Sequence, residues 1–135
     1  MAKVHIIHEN DAWVEPLRDA FGALGTPFEE WFLDTGLLDL TRPPPAGVFY
    51  NRMSASSHTR GHIYAPEYAG AAIEWLERHG RAVVNGRRAL QLELSKVAQY
   101  QALAPHGIPT PPTAAVIGRE HIPEAAARIG YPLIL

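Results

Sequence analysis

The first part of the chain alternates short apolar runs with stretches whose apolar residues recur every three or four positions. Runs of this length, bounded by glycine, proline or asparagine, are typical of buried strands. The other stretches predict amphipathic helices, because a helical period places their apolar side chains on one face. The predicted strands are Lys3–His8, Phe28–Leu33, Gly47–Asn51 and Ala82–Gly86.

Two helices are predicted between these strands. Strands that alternate with helices favour βαβ units and a mainly parallel sheet, so we expect residues 1–88 to form a Rossmann-like α/β domain. The first helix has apolar residues at Val14, Leu17, Phe21 and Leu24, and ends at Gly25. The second begins near Pro66, presents Ala69, Ala72, Ile73 and Leu76 as its buried face, and ends at Gly80.

Residues 89–135 have a different character. The pattern predicts one long helix from Ala89 to about Ala104, and then a rigid glycine- and proline-rich connector, His106–Thr113. After it we expect a strand at 114–117, a helix at 122–129 opened by Pro123, and a further strand from Pro132 onward. These elements leave no room to complete a sheet, so the second part is expected to be an unfinished domain.

Composition narrows the class of protein. The 135 residues carry a net charge of −2, which gives no basic footprint for nucleic acid. The chain has no cysteine, which excludes disulfides, thiolate metal sites and a cysteine nucleophile. No apolar run is long enough to span a membrane, and the first residues do not resemble a signal peptide. We therefore expect a cytoplasmic protein that binds neither nucleic acid nor membrane.

The polar loop Asn51–His62 follows the third predicted strand and is the richest candidate for chemistry. It holds two arginines, two histidines and four Ser/Thr hydroxyls. Ligands of open α/β sheets bind at the carboxyl ends of the strands, and such a loop offers charge-assisted donors to a carboxylate or phosphate. The alternative is an ordinary solvated loop, and the sequence leaves both open.

Other chemistries receive less support from the loop. His58 and His62 have the spacing of helical metal ligands, but the loop offers no cysteine or carboxylate to complete a zinc site. Ser54, Ser56 and Ser57 lack the G-x-S-x-G surroundings of a nucleophilic serine. The chain also contains neither a Walker A motif nor a G-x-G-x-x-G fingerprint.

Lys96 has two interpretations. From the residues alone, it forms a surface pair with Glu93 three positions earlier on one helix. However, the stretch "VVNGRRALQLELSKVAQYQALAPHGIPTPPT" (Val83–Thr113) resembles the start of the ATP-grasp fold, in the branch of the ribosomal-protein-S6 glutamate ligase. In that family a strand ending in asparagine leads to a helix with a Ser/Asp-Lys pair, and then to a connector matched here by Gly107-Ile-Pro and Pro112-Thr113. The resemblance is useful over residues 47–135.

The resemblance implies a function and several site residues. Residues 1–88 would be the pre-ATP-grasp domain, and 89–135 the linking helix and incomplete start of the ATP-grasp small subdomain. Lys96 would neutralise ATP phosphates, and the closing "IGYPLIL" would be a strand cut just before a second lysine. The acidic ligands of Mg²⁺ would lie downstream. The longer protein would be an ATP-dependent carboxylate-amine ligase that forms an amide or peptide bond through an acyl-phosphate, and this fragment would be inactive alone.

The substrates of the longer protein would be a small-molecule carboxylate and an amine. Arg52 and Arg60 would bind substrate carboxylate or phosphate, with Asn51 and His58 in support. An alternative is a stand-alone α/β module that binds a small anion or mediates assembly. An exposed apolar end also leaves a homodimer open.

Overall fold

The computed structural model of the chain describes residues 2–134. These residues form two compact units, one ending at Ser95 and the other starting at Lys96. No helix within residues 2–134 combines the length and apolar character needed to cross a membrane.

The first unit is a parallel sheet with helical connections. Its strands follow the order β2-β1-β3-β4, and each neighbouring pair is parallel, which confirms the predicted Rossmann-like α/β class. The strands are β1 (Val4–His8), β2 (Phe28–Phe32), β3 (Val48–Asn51) and β4 (Ala82–Val84). The helices are α1 (Glu15–Ala23), α2 (Ala65–Arg78) and α3 (Arg87–Leu94), with 3₁₀ turns at Asp11–Trp13 and Ser57–Arg60.

The main core lies between the sheet and α2. The four apolar residues predicted to face inward from this helix are all buried, in one cluster with Ile7 of β1 and Phe49 of β3. Full burial of a branched side chain such as Ile73 or Leu76 contributes about 1.5–3 kcal/mol. This packing fixes the sheet beneath the loops that follow its strands.

The strand order places a topological switch point between β1 and β3. The chain leaves β1 toward β2 on one side, and β3 and β4 lie on the other side. In open parallel sheets the loops at such a point diverge and leave a crevice outside the carboxyl ends of the strands. The 3₁₀ turn Asp11–Trp13 follows β1, and the loop that begins at Arg52 follows β3, so both lie at this edge.

The single helix predicted over Ala89–Ala104 is wrong. Helix α3 ends at Leu94, Ser95 has an extended backbone with φ −135° and ψ 106°, and α4 (Lys96–Leu103) starts immediately afterwards. Serine is preferred just before a helix, where the backbone is extended, and is a weak helix former inside one. The division into domains 1–88 and 89–135 stays a prediction about a longer protein.

The second unit contains α4 and α5 (Ile122–Ile129), with 3₁₀ turns at Ala104–His106 and Arg119–His121. Helix α5 confirms its prediction. The strands predicted at 114–117 and from Pro132 onward are wrong, because residues 114–117 and 132–134 pair with no strand in the described part of the unit; Leu135 lies outside the described residues. A strand requires a neighbouring backbone, and Pro132 also removes a donor that pairing of the last segment would use.

Candidate functional site: the strand-end cleft and the Lys96 cavity

Two asparagines tie the ends of β3 and β4 together. The Asn51 side-chain amide donates to the Asn85 carbonyl at 2.9 Å, and the Asn85 amide donates to the Asn51 carbonyl at 3.2 Å. The Asn51 Oδ1 atom also accepts from the Met53 backbone at 2.9 Å. Asn85 has a positive φ of 55°, which asparagine tolerates better than most residues. The amide of Asn51 therefore shapes the edge of the sheet.

An ion pair anchors the loop after β3 to the end of β1. Glu9 is 1% exposed, and its carboxylate accepts from Arg60 Nε at 3.0 Å and from Nη2 at 2.6 Å. Arg60 Nη1 donates to Ser56 Oγ at 3.2 Å, and the guanidinium lies 5.0 Å above the centre of the Trp13 ring. Hydrogen bonding to Glu9 raises the pKa of Arg60. Arg60 thus joins the loop to the two segments that follow β1.

A cleft of about 380 Å³ opens at the same edge of the sheet. Among the described residues that line it, Arg52 is the one cation and Glu93 the one carboxylate. The Arg52 guanidinium lies 5.9 Å from the centre of the Tyr50 ring, and within residues 2–134 it forms no ion pair of 4.0 Å or less. We call this the strand-end cleft, and its lining is Trp13, Asn51, Arg52, Met53, Ser54, Asn85, Ala89, Leu90 and Glu93.

The structure brings only part of the predicted substrate site together. Asn51 and Arg52 line the strand-end cleft, whereas His58 and Arg60 do not. His58 is exposed, and its Nδ1 atom lies 3.0 Å from the Ala55 carbonyl oxygen. Arg60 has Glu9 as its partner. The binding roles of these residues remain predictions. Of the two arginines, Arg52 is the one that forms no ion pair within residues 2–134 and can therefore pair with a bound anion.

The two histidines considered for zinc have separate partners. His58 contacts Ala55, whereas His62 Nδ1 lies 3.2 Å from Asp34 Oδ2. Neither histidine belongs to the one cluster of potential metal ligands found within residues 2–134. The i, i+4 spacing therefore does not produce a shared site here.

That one cluster consists of His8, Asp11 and Glu30, and it already contains a cation. Arg18 Nη2 lies 2.7 Å from Asp11 Oδ1 and 2.6 Å from Glu30 Oε2. The hydrogen bonds from Arg18 hold the pKa of Glu30 below its ordinary value, and they raise the pKa of Arg18. The cluster is accounted for by an arginine bridging two carboxylates.

The second unit has its own cavity, of about 1100 Å³. Lys96 and Arg119 are its cations, and its walls are mainly apolar or proline residues. Lys96 Nζ donates to Gln99 Oε1 at 3.1 Å. The predicted Glu93–Lys96 helix pair is wrong, because Ser95 interrupts the helix and places the two residues on α3 and α4. We call this space the Lys96 cavity.

The resemblance implies ATP and Mg²⁺, and the lining of the Lys96 cavity suits ATP but not the metal ion. Two cations beside an apolar wall fit a nucleotide, whose phosphates are anionic and whose base is flat and largely apolar. The lining contains no aspartate or glutamate among the described residues, and Mg²⁺ requires oxygen ligands, usually carboxylates. These residues therefore do not supply a Mg²⁺ site.

Several residues of these sites were not selected from the sequence. Glu9 directly follows the first predicted strand, but nothing in the local sequence indicates that it is the partner of Arg60. Trp13 and Glu93 are distant in sequence from the loop after β3, and only the folded chain brings them to the same cleft. Arg119 lies in a 3₁₀ turn that carries no recognisable motif. The signal that indicates Glu9 and Trp13 is their position in the segment that follows a buried strand.

The fold and its two sites define the chain as an α/β protein with two candidate binding sites for small anionic molecules. The chain has a Rossmann-like parallel sheet with a charged cleft at its switch point, and a second unit whose cavity suits a nucleotide. Neither a protein-family model nor a curated protein matches the sequence.

One solved structure resembles the chain over nearly its whole length. The crystal structure of a RimK domain protein ATP-grasp from Sphaerobacter thermophilus matches 97% of this chain, with a TM-score of 0.68 and 25% sequence identity. The match confirms the ATP-grasp, RimK-like resemblance seen in the sequence. The chain spans 47% of the length of that protein, about half.

Proposed function

We propose that a longer protein containing this chain is an ATP-dependent carboxylate-amine ligase. The observation that carries this proposal is Lys96, which lines a cavity with Arg119 at the position where the ATP-grasp resemblance expects a phosphate-binding lysine. The structural match to a RimK domain protein supports the same class. Fixed cations are needed because charge on the polyphosphate must be balanced while a phosphoryl group is transferred.

The proposed reaction has two steps. A carboxylate oxygen of the acid attacks the γ-phosphorus of ATP, the bond to the bridging oxygen breaks, and ADP leaves with an acyl-phosphate remaining. The amine then attacks the acyl carbon, inorganic phosphate leaves, and the nitrogen loses a proton to give the amide. ATP is consumed as a substrate, and Lys96 contributes positive charge beside its phosphates. Carboxylates outside the Lys96 cavity would have to hold Mg²⁺, which would neutralise further charge on the phosphates.

The first unit is proposed to contribute to substrate binding. Arg52 lines the strand-end cleft and has no ion-pair partner within the described residues, so it can receive an anionic group of the acid or amine substrate. Asn51 holds the cleft edge through Asn85, and Arg60 and His58 support the loop from outside the cleft. The substrates would be small molecules.

The test follows Mg-ATP conversion to ADP by the full-length protein across a panel of small carboxylic acids and amines. We expect ADP release that requires one acid and one amine together, because neither half-reaction turns over alone. ADP release that is independent of every acid, or no ATP binding at all, would contradict the proposal.

A second candidate is a module that binds a small anion without chemistry. The unpaired charge of Arg52 in the strand-end cleft favours it. This alternative predicts anion binding that depends on Arg52, with no ADP release from any protein that contains the chain.

A further inference from the structure

The two charges in the strand-end cleft belong to different elements. Arg52 follows β3 and Glu93 lies near the end of α3, yet both line the same cleft of about 380 Å³. Neither is in an ion pair of 4.0 Å or less within residues 2–134, with the other or with any further residue. Among the described residues, the cleft therefore presents one cation and one anion that are not paired with each other.

The rest of the described lining of the cleft is neutral. Trp13, Ala89 and Leu90 contribute apolar surface, and the amide of Asn51 is already used by Asn85. A tryptophan ring gives broad contact to a carbon chain and has little rotamer entropy to lose on binding. The guanidinium of Arg60, held by Glu9, lies 5.0 Å from the centre of this ring.

We infer that the strand-end cleft binds a small zwitterion, with its carboxylate on Arg52, its ammonium on Glu93 and its carbon chain against Trp13. A ligand with only one charge would satisfy one side chain and leave the other without a partner. A zwitterion satisfies both, and each charge-assisted hydrogen bond is stronger than a neutral one. As a statement about substrate class this rests on the proposed function, because it names an amino-carboxylate as the molecule that the first unit would hold.

The test compares zwitterions with acids of equal length that lack the amino group. Glycine, β-alanine, 4-aminobutyrate and 6-aminohexanoate would be titrated into the chain by calorimetry without ATP, each beside its matched acid: acetate, propionate, butyrate and hexanoate. We expect at least one zwitterion to bind about fivefold to tenfold more tightly than its matched acid, a modest ratio because the cleft is open to water.

Two substitutions assign the charges. Glu93→Gln should bring the affinity ratio of zwitterion to matched acid to about one, whereas Arg52→Gln should weaken both ligands. Glu74→Gln, an exposed change on α2 outside the cleft, should leave the ratio as in the unsubstituted chain. A general structural effect would lower both affinities without changing their ratio.

The inference is overturned if the ratio is about one at every length in the unsubstituted chain, or if it survives Glu93→Gln. Because these titrations use no ATP, that result would leave the ligase proposal standing. Conversely, zwitterion binding by a full-length protein that never releases ADP would retain this inference and remove the proposed function.

Discussion

An Arg60→Ala variant is expected to lose about 3 kcal/mol of unfolding free energy, because it leaves the carboxylate of Glu9 buried without its partner. The Glu9 side chain is fully buried, whereas the Arg60 side chain is 27% exposed, which places the cost at the lower end for a broken buried pair. Urea unfolding monitored by tryptophan fluorescence measures it. The three tryptophans, Trp13, Trp31 and Trp75, all lie in the first unit, so the signal reports that unit.

Arg52→Ala is the matched control for this prediction. It removes the same charge from the same loop, but Arg52 is exposed and has no ion pair within the described residues, so its cost should stay within about 0.5 kcal/mol. Adding Glu9→Gln to Arg60→Ala should recover part of the loss, since the uncompensated charge is then gone. Equal stability of the two single variants would show that the Glu9–Arg60 pair does not anchor the loop.

A Lys96→Ala variant of the full-length protein is expected to bind ATP about tenfold to hundredfold more weakly. The estimate corresponds to losing one charge-assisted contact with phosphate, about 1.5–3 kcal/mol. Lys96 can make this contact because its present partner, Gln99, is a neutral side chain that competes weakly with an anion. Equilibrium titration of Mg-ATP measures the loss.

Arg128→Ala is the matched control in the second unit. Arg128 lies on α5, pairs with Glu124 at 2.6 Å and is absent from the lining of the Lys96 cavity, so its removal changes the net charge without touching the cavity. We expect its ATP affinity to equal that of the unsubstituted protein. A similar loss in both variants would indicate general electrostatic attraction, and no loss in Lys96→Ala would remove this lysine from the site.

The strand and helix pattern of the first unit could be predicted because burial there is periodic. Ala69, Ala72, Ile73 and Leu76 repeat with the helical period and are buried together in α2, and the apolar strands lie side by side in a parallel sheet. In such a region one face of each element determines both its type and its orientation.

The remaining features depend on information that local sequence does not carry. The apolar pattern of α3 continues past Ser95 to Val97 and therefore predicts one unbroken helix. The preference of serine for the position before a helix is a weaker signal than this pattern, so the sequence does not indicate the break. Glu9 and Arg60 are 51 positions apart and meet only because β1 and β3 are neighbours. The strand predicted at 114–117 failed because strand formation requires a pairing partner, which a single segment cannot reveal.

The most direct test of the central claim is the fate of carboxylate oxygen. Once the acid substrate is known, it would be prepared with both carboxylate oxygens as oxygen-18 and turned over by the full-length protein with ATP and the amine. Activation as an acyl-phosphate predicts one oxygen-18 atom in each inorganic phosphate released, because the attacking oxygen leaves with the phosphorus. Amide formation with unlabelled phosphate would contradict a carboxylate-amine ligase of the ATP-grasp kind.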